Sequence, residues 1–137
     1  MKLITLATTL LAALLSVVSV QGAYFTLMNA AQNVVPCAVS STIGNAVYTL
    51  VGTKLCMKLA YGKLAVGNET SSTINGPALI GASATKIFTL SGKSSKTDCV
   101  TLSTVQQGYL SSGKLYTTIL TAACTGGEIR GQILPTK

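Results

Sequence analysis

Histidine and tryptophan are absent from this chain, arginine occurs once, and only three acidic residues stand among 137. Each scarcity excludes a chemistry. Copper and zinc catalysis lean on imidazole ligands, and there are none. A serine or threonine nucleophile needs a base, and without histidine only lysine remains. Lysine neighbours serine in "SGKSSK" (Ser91–Lys96), a pattern that reads as a solvated loop. Hydrolysis by paired carboxylates needs two of them suitably placed, drawn here only from Glu69, Asp98 and Glu128. The expectation is a non-enzyme with no catalytic residue, no metal and no cofactor. A divergent secreted enzyme using a lysine or a carboxylate is the alternative from another class.

Dense charge is lacking too. The net charge is +7, but Lys54, Lys58, Lys63, Lys86, Lys93, Lys96, Lys114 and Lys137 are scattered. They form no run and no aromatic ladder of the kind single-strand nucleic-acid binders use, so no nucleic-acid partner is expected. Scattered lysines solubilise a sheet surface. The sharper alternative is weak attraction to a polyanion such as an acidic cell-wall polysaccharide. Tyr24, Tyr48, Tyr61, Tyr109 and Tyr116 are the main aromatics. Tyrosines in strands read as half-buried packing before they read as a sugar platform.

One long hydrophobic run exists, "LITLATTLLAALLSVVSV", preceded by Lys2 and followed by the small residues Val20 and Gly22. That arrangement reads as a secretory signal peptide over residues 1–22, with one domain over 23–137 and no membrane span in the mature chain. Secretion gives the cysteines their meaning. Cys37, Cys56, Cys99 and Cys124 make an even count, which in an oxidising compartment reads as two disulfides. Three pairings are possible. Cys37–Cys56 with Cys99–Cys124 is preferred, because each closes a short local loop. "NET" at Asn68–Thr70 is an N-glycosylation acceptor in a turn-rich stretch.

The rest of the chain alternates short β-prone runs with turn signals, the pattern of an all-β sandwich or barrel. Strands are expected at "YFTLM" (Tyr24–Met28), "NAVYTLV" (Asn45–Val51), "KLCMKLAYG" (Lys54–Gly62), "TKIFTLSG" (Thr85–Gly92), "KLYTTILTAA" (Lys114–Ala123) and "EIRGQIL" (Glu128–Leu134). The second and third form a hairpin, and in the third Leu55, Met57 and Leu59 share one face. Pro36 keeps "AQNVVPCAVSS" out of a central strand. "GNETSSTINGPALIGAS" is the most turn-rich region and "KSSKTD" a polar loop. "STVQQGYLSSG" is the one helical turn, with Ser103 as N-cap and Gln106 completing a capping box.

Glu128 and Arg130 stand two apart in "CTGGEIRGQI" (Cys124–Ile133). In a strand they share a face, which suits a surface ion pair worth less than about 1 kcal/mol, with Ile129 facing the core. Gly127 permits the turn, and Gly131 a bulge or a close backbone approach. A phosphate loop would enter a helix, whereas this segment enters a strand.

At these residues the chain resembles the chordin-type (CHRD) domain family. "GKLYTTILTAACTGGEIRGQI" (Gly113–Ile133) is similar to the family's C-terminal signature, and "TINGPALIG" (Thr73–Gly81) to its His-Ile-His-Gly-Pro-Ala segment. "AQNVVPCAVSSTIGNAVYTL" (Ala30–Leu50) is similar to its first segment. The matching residues are Gly76, Pro77, Gly113, Tyr116, Gly127, Glu128, Arg130 and Gly131, mostly turn and framework types. Thr73, Asn75 and Leu120 stand where the family usually has histidines. The resemblance implies a secreted, antiparallel Greek-key β-sandwich of superoxide-dismutase-like topology. It implies a non-catalytic extracellular binding or structural module, with a protein or a matrix or cell-wall component as partner.

Overall fold

The computed structural model describes residues 22–37 and 39–137. The expected signal peptide lies outside the described residues apart from Gly22, which opens the first strand opposite Leu50. Among the described residues no helix is long and apolar enough to cross a membrane.

Nine strands form two antiparallel sheets. They are β1 (Gly22–Met28), β2 (Gly44–Val51), β3 (Lys54–Tyr61), β4 (Glu69–Asn75), β5 (Lys86–Leu90), β6 (Ser95–Thr101), β7 (Tyr116–Thr121), β8 (Ile129–Gln132) and β9 (Leu134–Pro135). One sheet runs β6-β3-β2-β1-β9 and the other β5-β4-β7-β8. The chain leaves β3, makes the β4–β5 hairpin in the second sheet and returns as β6 beside β3. The expected antiparallel sandwich is therefore present.

Alternation builds the first sheet. β2 and β3 bury every second residue, so Ala46, Tyr48, Leu50, Leu55, Met57 and Leu59 face inward. Ile74, Ile119, Ile129 and Ile133 meet them from the second sheet's side. The helix α1 (Thr104–Ser111) starts as expected: Ser103 Oγ accepts from the Gln106 amide and the Gln106 side chain accepts from the Ser103 amide. Leu110 fixes it to the core.

Two expected loops are strands. "KSSKTD" runs into β6, and the turn-rich stretch contains β4, which is central and paired on both sides. Both look like loops because a polar residue stands inward in each beside the apolar one, Ser72 with Ile74 and Lys96 with Val100. Ser72 of β4 is fully buried, and Lys96 of β6 reaches it from the facing sheet, Nζ to Oγ 2.6 Å. Lys96 is thus no surface lysine and no part of a solvated loop. It makes an ion pair with Glu69 at 2.8 Å, with both side chains almost completely buried. Tyr61 donates to the other Glu69 oxygen. The expected last strand is also divided, since β8 pairs with β7 in one sheet and β9 with β1 in the other.

The disulfides are Cys37–Cys124 and Cys56–Cys99, not the local pairs. The strand register decides one of them: Cys56 on β3 faces Cys99 on β6, with Cα atoms 4.0 Å apart. The other fastens the segment after β1 to the turn before β8. Closeness along the chain misleads in a sandwich, where neighbours come from distant strands. The bridges span 87 and 43 residues, and loops that long each restrain the unfolded chain by about 4 kcal/mol in the chain-entropy account.

Tyr48 sits wholly inside, its hydroxyl 2.7 Å from Thr117 Oγ1. Burial pushes its pKa from 10.0 up to about 12. Tyr61 is also raised, first by burial and then by Glu69. A phenol whose folded pKa lies above its unfolded value contributes stability that is intact below the unfolded value and lost as pH rises through the folded one. Stability should therefore fall between pH 10 and 12, by roughly 3 kcal/mol for Tyr48. Chemical denaturation across that range should show a shallower decline in Tyr48→Phe than in the unaltered chain. Parallel declines would show that Tyr48 ionises without cost to the fold.

Candidate functional site

A sandwich ordinarily exposes the outer face of each sheet. Here the outer face of β4, β7 and β8 is largely covered. Thr73, Tyr116, Thr118, Arg130 and Gln132 all lie on it, and all are buried. The cover is the strap of residues 76–85, which follows β4 and folds back across the sheet. Its ends are closed by the Gly76 amide donating to the Thr85 carbonyl, 3.2 Å. Its middle is held by three side chains. Tyr116 Oη accepts from the Ala84 amide at 2.9 Å and donates to the Ala84 carbonyl at 2.8 Å. Arg130 Nη1 donates to the Ala82 carbonyl at 2.7 Å, and Nη2 to the Leu79 carbonyl at 3.4 Å. Gln132 Nε2 donates to the carbonyls of Ala78 and Gly113, both at 2.7 Å.

Arg130 is the centre of this arrangement. Its guanidinium carbon lies 3.6 Å from the centre of the Tyr116 ring, a close cation–π stack. Burial pulls its pKa down from the ordinary value, and Tyr116 acts in the opposite direction. An arginine remains a cation through any physiological range. The surface ion pair expected between Glu128 and Arg130 does not exist. Both residues are buried, and among the described residues the one ion pair is Lys96–Glu69. Glu128 precedes β8, and its carboxylate accepts instead from the Ala65 amide at 3.0 Å, the Val66 amide at 2.8 Å and Ser40 Oγ at 3.3 Å. It ties down the loop between β3 and β4. Ile129 does face the core.

The two glycines flanking this pair have separate reasons. Gly127 holds φ at +122°, and a Cβ there would lie 2.3 Å from Thr118 Cγ2. At Gly131 a Cβ would lie 2.5 Å from the Leu27 carbonyl oxygen. Gly131 is thus the close approach expected of it, where the last strand crosses to β1.

Beside the strap the covering is incomplete, and a cleft of about 580 Å³ opens onto β4 and β7. Ser71, Thr73 and Asn75 line it from β4, Tyr116, Thr118 and Leu120 from β7, Arg130 from β8 and Lys86 from β5. Val34, Val35, Thr125 and Gly126 form its rim near the Cys37–Cys124 bridge. The three positions where the resemblance leads one to expect histidine, Thr73, Asn75 and Leu120, all lie in this cleft. Thr73 Oγ1 donates to Asn75 Oδ1 at 2.5 Å, and Asn75 Nδ2 to the Ala84 carbonyl at 3.3 Å. Thr118 Oγ1 is buried and lacks a hydrogen-bond partner, alone in this among the described side chains. Neither this lone hydroxyl nor the cleft is legible in the sequence, because the strap and the turn at Gly127, both remote along the chain, close around β7. The one sequence signal was "TINGPA" standing apart from the C-terminal signature that grips it.

The other expected sites lie elsewhere. A more open hollow of about 410 Å³ adjoins Tyr61, Lys63, Asn68 and Glu69. Asn68 and Thr70 are exposed there, so the acceptor asparagine stands on the surface. Glu69, Asp98 and Glu128 are committed to different partners, Asp98 to the amide and hydroxyl of Ser91 at 2.8 and 2.9 Å. No group of His, Cys, Asp and Glu suited to a metal ion occurs among the described residues.

The match to known families settles what the strap and its clamp belong to. Residues 24–133 match the CHRD domain. The chain belongs to the CHRD-domain family. No curated protein and no solved structure matches it. Of the residues that carry the resemblance, Gly76, Pro77, Tyr116 and Arg130 meet at the strap, and Gly113 supplies a carbonyl to Gln132 beside them. Gly127, Glu128 and Gly131 shape the approach to β8.

Removing the Tyr116 hydroxyl tests the clamp while leaving the ring under Arg130. Tyr116→Phe should lower stability by about 1–2 kcal/mol. The Ala84 amide should exchange with solvent markedly faster than in the unaltered chain, while core amides of β2 and β3 change only with global stability. Equal exchange at Ala84 would show that Arg130 and Gln132 hold the strap without Tyr116.

Proposed function

We propose that this CHRD-domain chain is a secreted, non-catalytic extracellular binding module whose binding face is the cleft over β4 and β7. One observation carries the reading: the outer face of β4 and β7 is left open beside the strap, with the partnerless Thr118 hydroxyl and the Lys86 and Arg130 cations in it. Binding sites are concave, with a few convergent polar groups on a fixed scaffold. Hydroxyl, amide and cationic side chains line this one, together with apolar contacts, and its lining contains no carboxylate, imidazole or thiol. Such a set recognises a ligand by hydrogen bonds and charge and offers no general base of ordinary strength. Two disulfides, the apolar run over the first 20 residues and the exposed Asn68 acceptor support an extracellular setting. The partner class is an extracellular protein or a matrix or cell-wall component.

The test is retention on surface material of the producing cells. Chain expressed through a secretory pathway should be held on one fraction, polysaccharide or protein, at high salt as well as low. Ser83→Trp, an exposed cleft residue replaced by a large one, should abolish retention without unfolding the domain. Retention at low salt alone would reduce the interaction to the exposed lysines, since charges in water are screened within about 10 Å at 0.1 M salt. Retention indifferent to Ser83→Trp, or turnover abolished by a point mutation, would sink the reading.

The Asn68 acceptor gives a separate prediction. Native secreted chain should lose mass on N-glycosidase treatment, and Asn68→Gln should remove that shift. An unchanged native mass means that the acceptor is unused.

A further inference from the structure

The chain's whole stock of side-chain carboxylates is three, and each is accounted for. Glu69 is paired with Lys96. Glu128 accepts from the amides of Ala65 and Val66. Asp98 accepts from Ser91. Arg130 and Lys86 therefore face the cleft with no negative charge of this chain beside them. Carbonyls, Gln132 Oε1 and the Tyr116 ring hold the Arg130 guanidinium without neutralising it. An anion entering the cleft would therefore meet two cations and no competing carboxylate of the chain.

A second, independent observation lies directly across the β7–β8 ladder from Arg130. Thr118 is 3% exposed, lines the cleft, and its hydroxyl has no partner. An unsatisfied buried hydroxyl costs about 1–3 kcal/mol, which a ligand oxygen would recover. Around it β4 presents Ser71, Thr73 and Asn75 in a row, since alternate residues of a strand share a face. Hydroxyl and amide groups of this kind both donate and accept. They match a ligand that carries many hydroxyls of its own. A peptide adding as a strand would have to pair at the outer edge of β5, because β4 and β7, which floor the cleft, are each paired on both sides. Leu120 and Val34 add apolar contact for the C–H face of a ring. A cleft of this volume falls within the range of small-ligand sites.

We propose that the cleft binds an acidic saccharide, its carboxylate meeting Arg130 and Lys86 and its hydroxyls meeting Thr118 and the polar row of β4. The proposal rests on the cleft being the binding face and names the class of ligand it takes. A carboxylate suits the site because the exposed Lys86 presents a mobile ammonium to it, while Arg130, whose Nη groups already hold the Ala82 and Leu79 carbonyls and Gln132 Oε1, adds a fixed positive charge nearby.

The test uses the isotopically labelled secreted chain and three probes: a short uronic-acid oligosaccharide, its carboxyl-reduced neutral counterpart, and an acidic peptide of matching charge. Titrations are run at about 0.15 M salt, where the screening length is about 8 Å. The uronic-acid oligomer should bind saturably and shift the amides of β4 and β7. The neutral oligomer should bind at least tenfold more weakly. Lys86→Gln and Thr118→Val should each weaken the acidic oligomer about three- to tenfold. Lys86 is exposed, so its variant keeps the fold, and Thr118→Val keeps the shape while removing the lone hydroxyl, so its thermal stability should be unchanged or higher. Arg130 is left intact because it clamps the strap.

Equal binding of the acidic and neutral oligomers, shifts confined to lysines outside the cleft, indifference to both substitutions, or no binding at all would overturn the proposal. So would an acidic peptide that binds as tightly as the saccharide. If the oligomers fail while Ser83→Trp still abolishes retention on surface material, the ligand class alone is wrong. If retention is also indifferent to Ser83→Trp, the cleft is not the binding face.

Discussion

Everything distinctive about this fold depends on one stretch of chain changing sheets. Residues 129–132 pair with β7, and two residues later the chain pairs with β1 in the other sheet. The Arg130 backbone bridges to Asn29 with two hydrogen bonds of 3.0 Å, so β8 lies against the end of β1 and the sandwich is sewn shut along that side. Close contact of this kind tolerates no side chain at Gly131, where the Leu27 carbonyl occupies the space. The crossing fixes Arg130 rigidly in its backbone, and the rigid backbone aims the guanidinium at the strap. A clamp built on a loose edge strand could not hold three carbonyls of a loop at once.

The strap in turn converts an ordinary outer sheet face into a second, polar interior. Apolar alternation explains the first interior, between the sheets. The second is held by hydrogen bonds from Tyr116, Arg130 and Gln132 to backbone carbonyls, and each bond does two jobs. It satisfies a loop carbonyl that burial would otherwise strand, and it orients a side chain beside the cleft. The signature "GEIRGQ" is therefore read best as a joint between crossing, clamp and cleft. Glu128 belongs to it as well, pinning the loop between β3 and β4 while Asn33 Nδ2 donates to its carbonyl at 2.8 Å.

What was legible in the sequence follows the same division. The β2–β3 hairpin, the inward row Leu55, Met57 and Leu59, the capping box at Ser103 and the close approach at Gly131 all obey local rules, and all are present. β4 and β6 read as loops because Ser72 and Lys96 stand inward beside Ile74 and Val100, and serine and lysine count as loop types unless the facing sheet is known. The disulfides were misjudged for a related reason: Cys56 meets Cys99 through strand register, which spacing along the chain does not encode. Alternation puts Arg130 on the correct face, but that face reads as solvent-exposed and is in fact covered by the strap. Nothing in a strand's own residues tells whether a later loop will cover it.

The scarcity of acidic residues links these layers. With three carboxylates in the chain, Glu69 inside the sandwich, Glu128 pinning the loop between β3 and β4 and Asp98 on β6 held to Ser91, no acid is left to neutralise the clamp arginine. A glutamate in place of Thr73 or Asn75, on the cleft-facing side of β4, would set a carboxylate near Arg130 and leave a finished, inert surface. Here the polar residues at Thr73 and Asn75 are neutral, and their hydrogen bond to each other leaves charge on the Arg130 side unanswered. The cleft thus combines a fixed positive charge, a lone hydroxyl and a neutral polar floor, and all three come from the same structural decision to fold a loop over a sheet and grip it with an arginine. The grip requires a cation at that point, and the shortage of anions makes it a cation still in want of a partner.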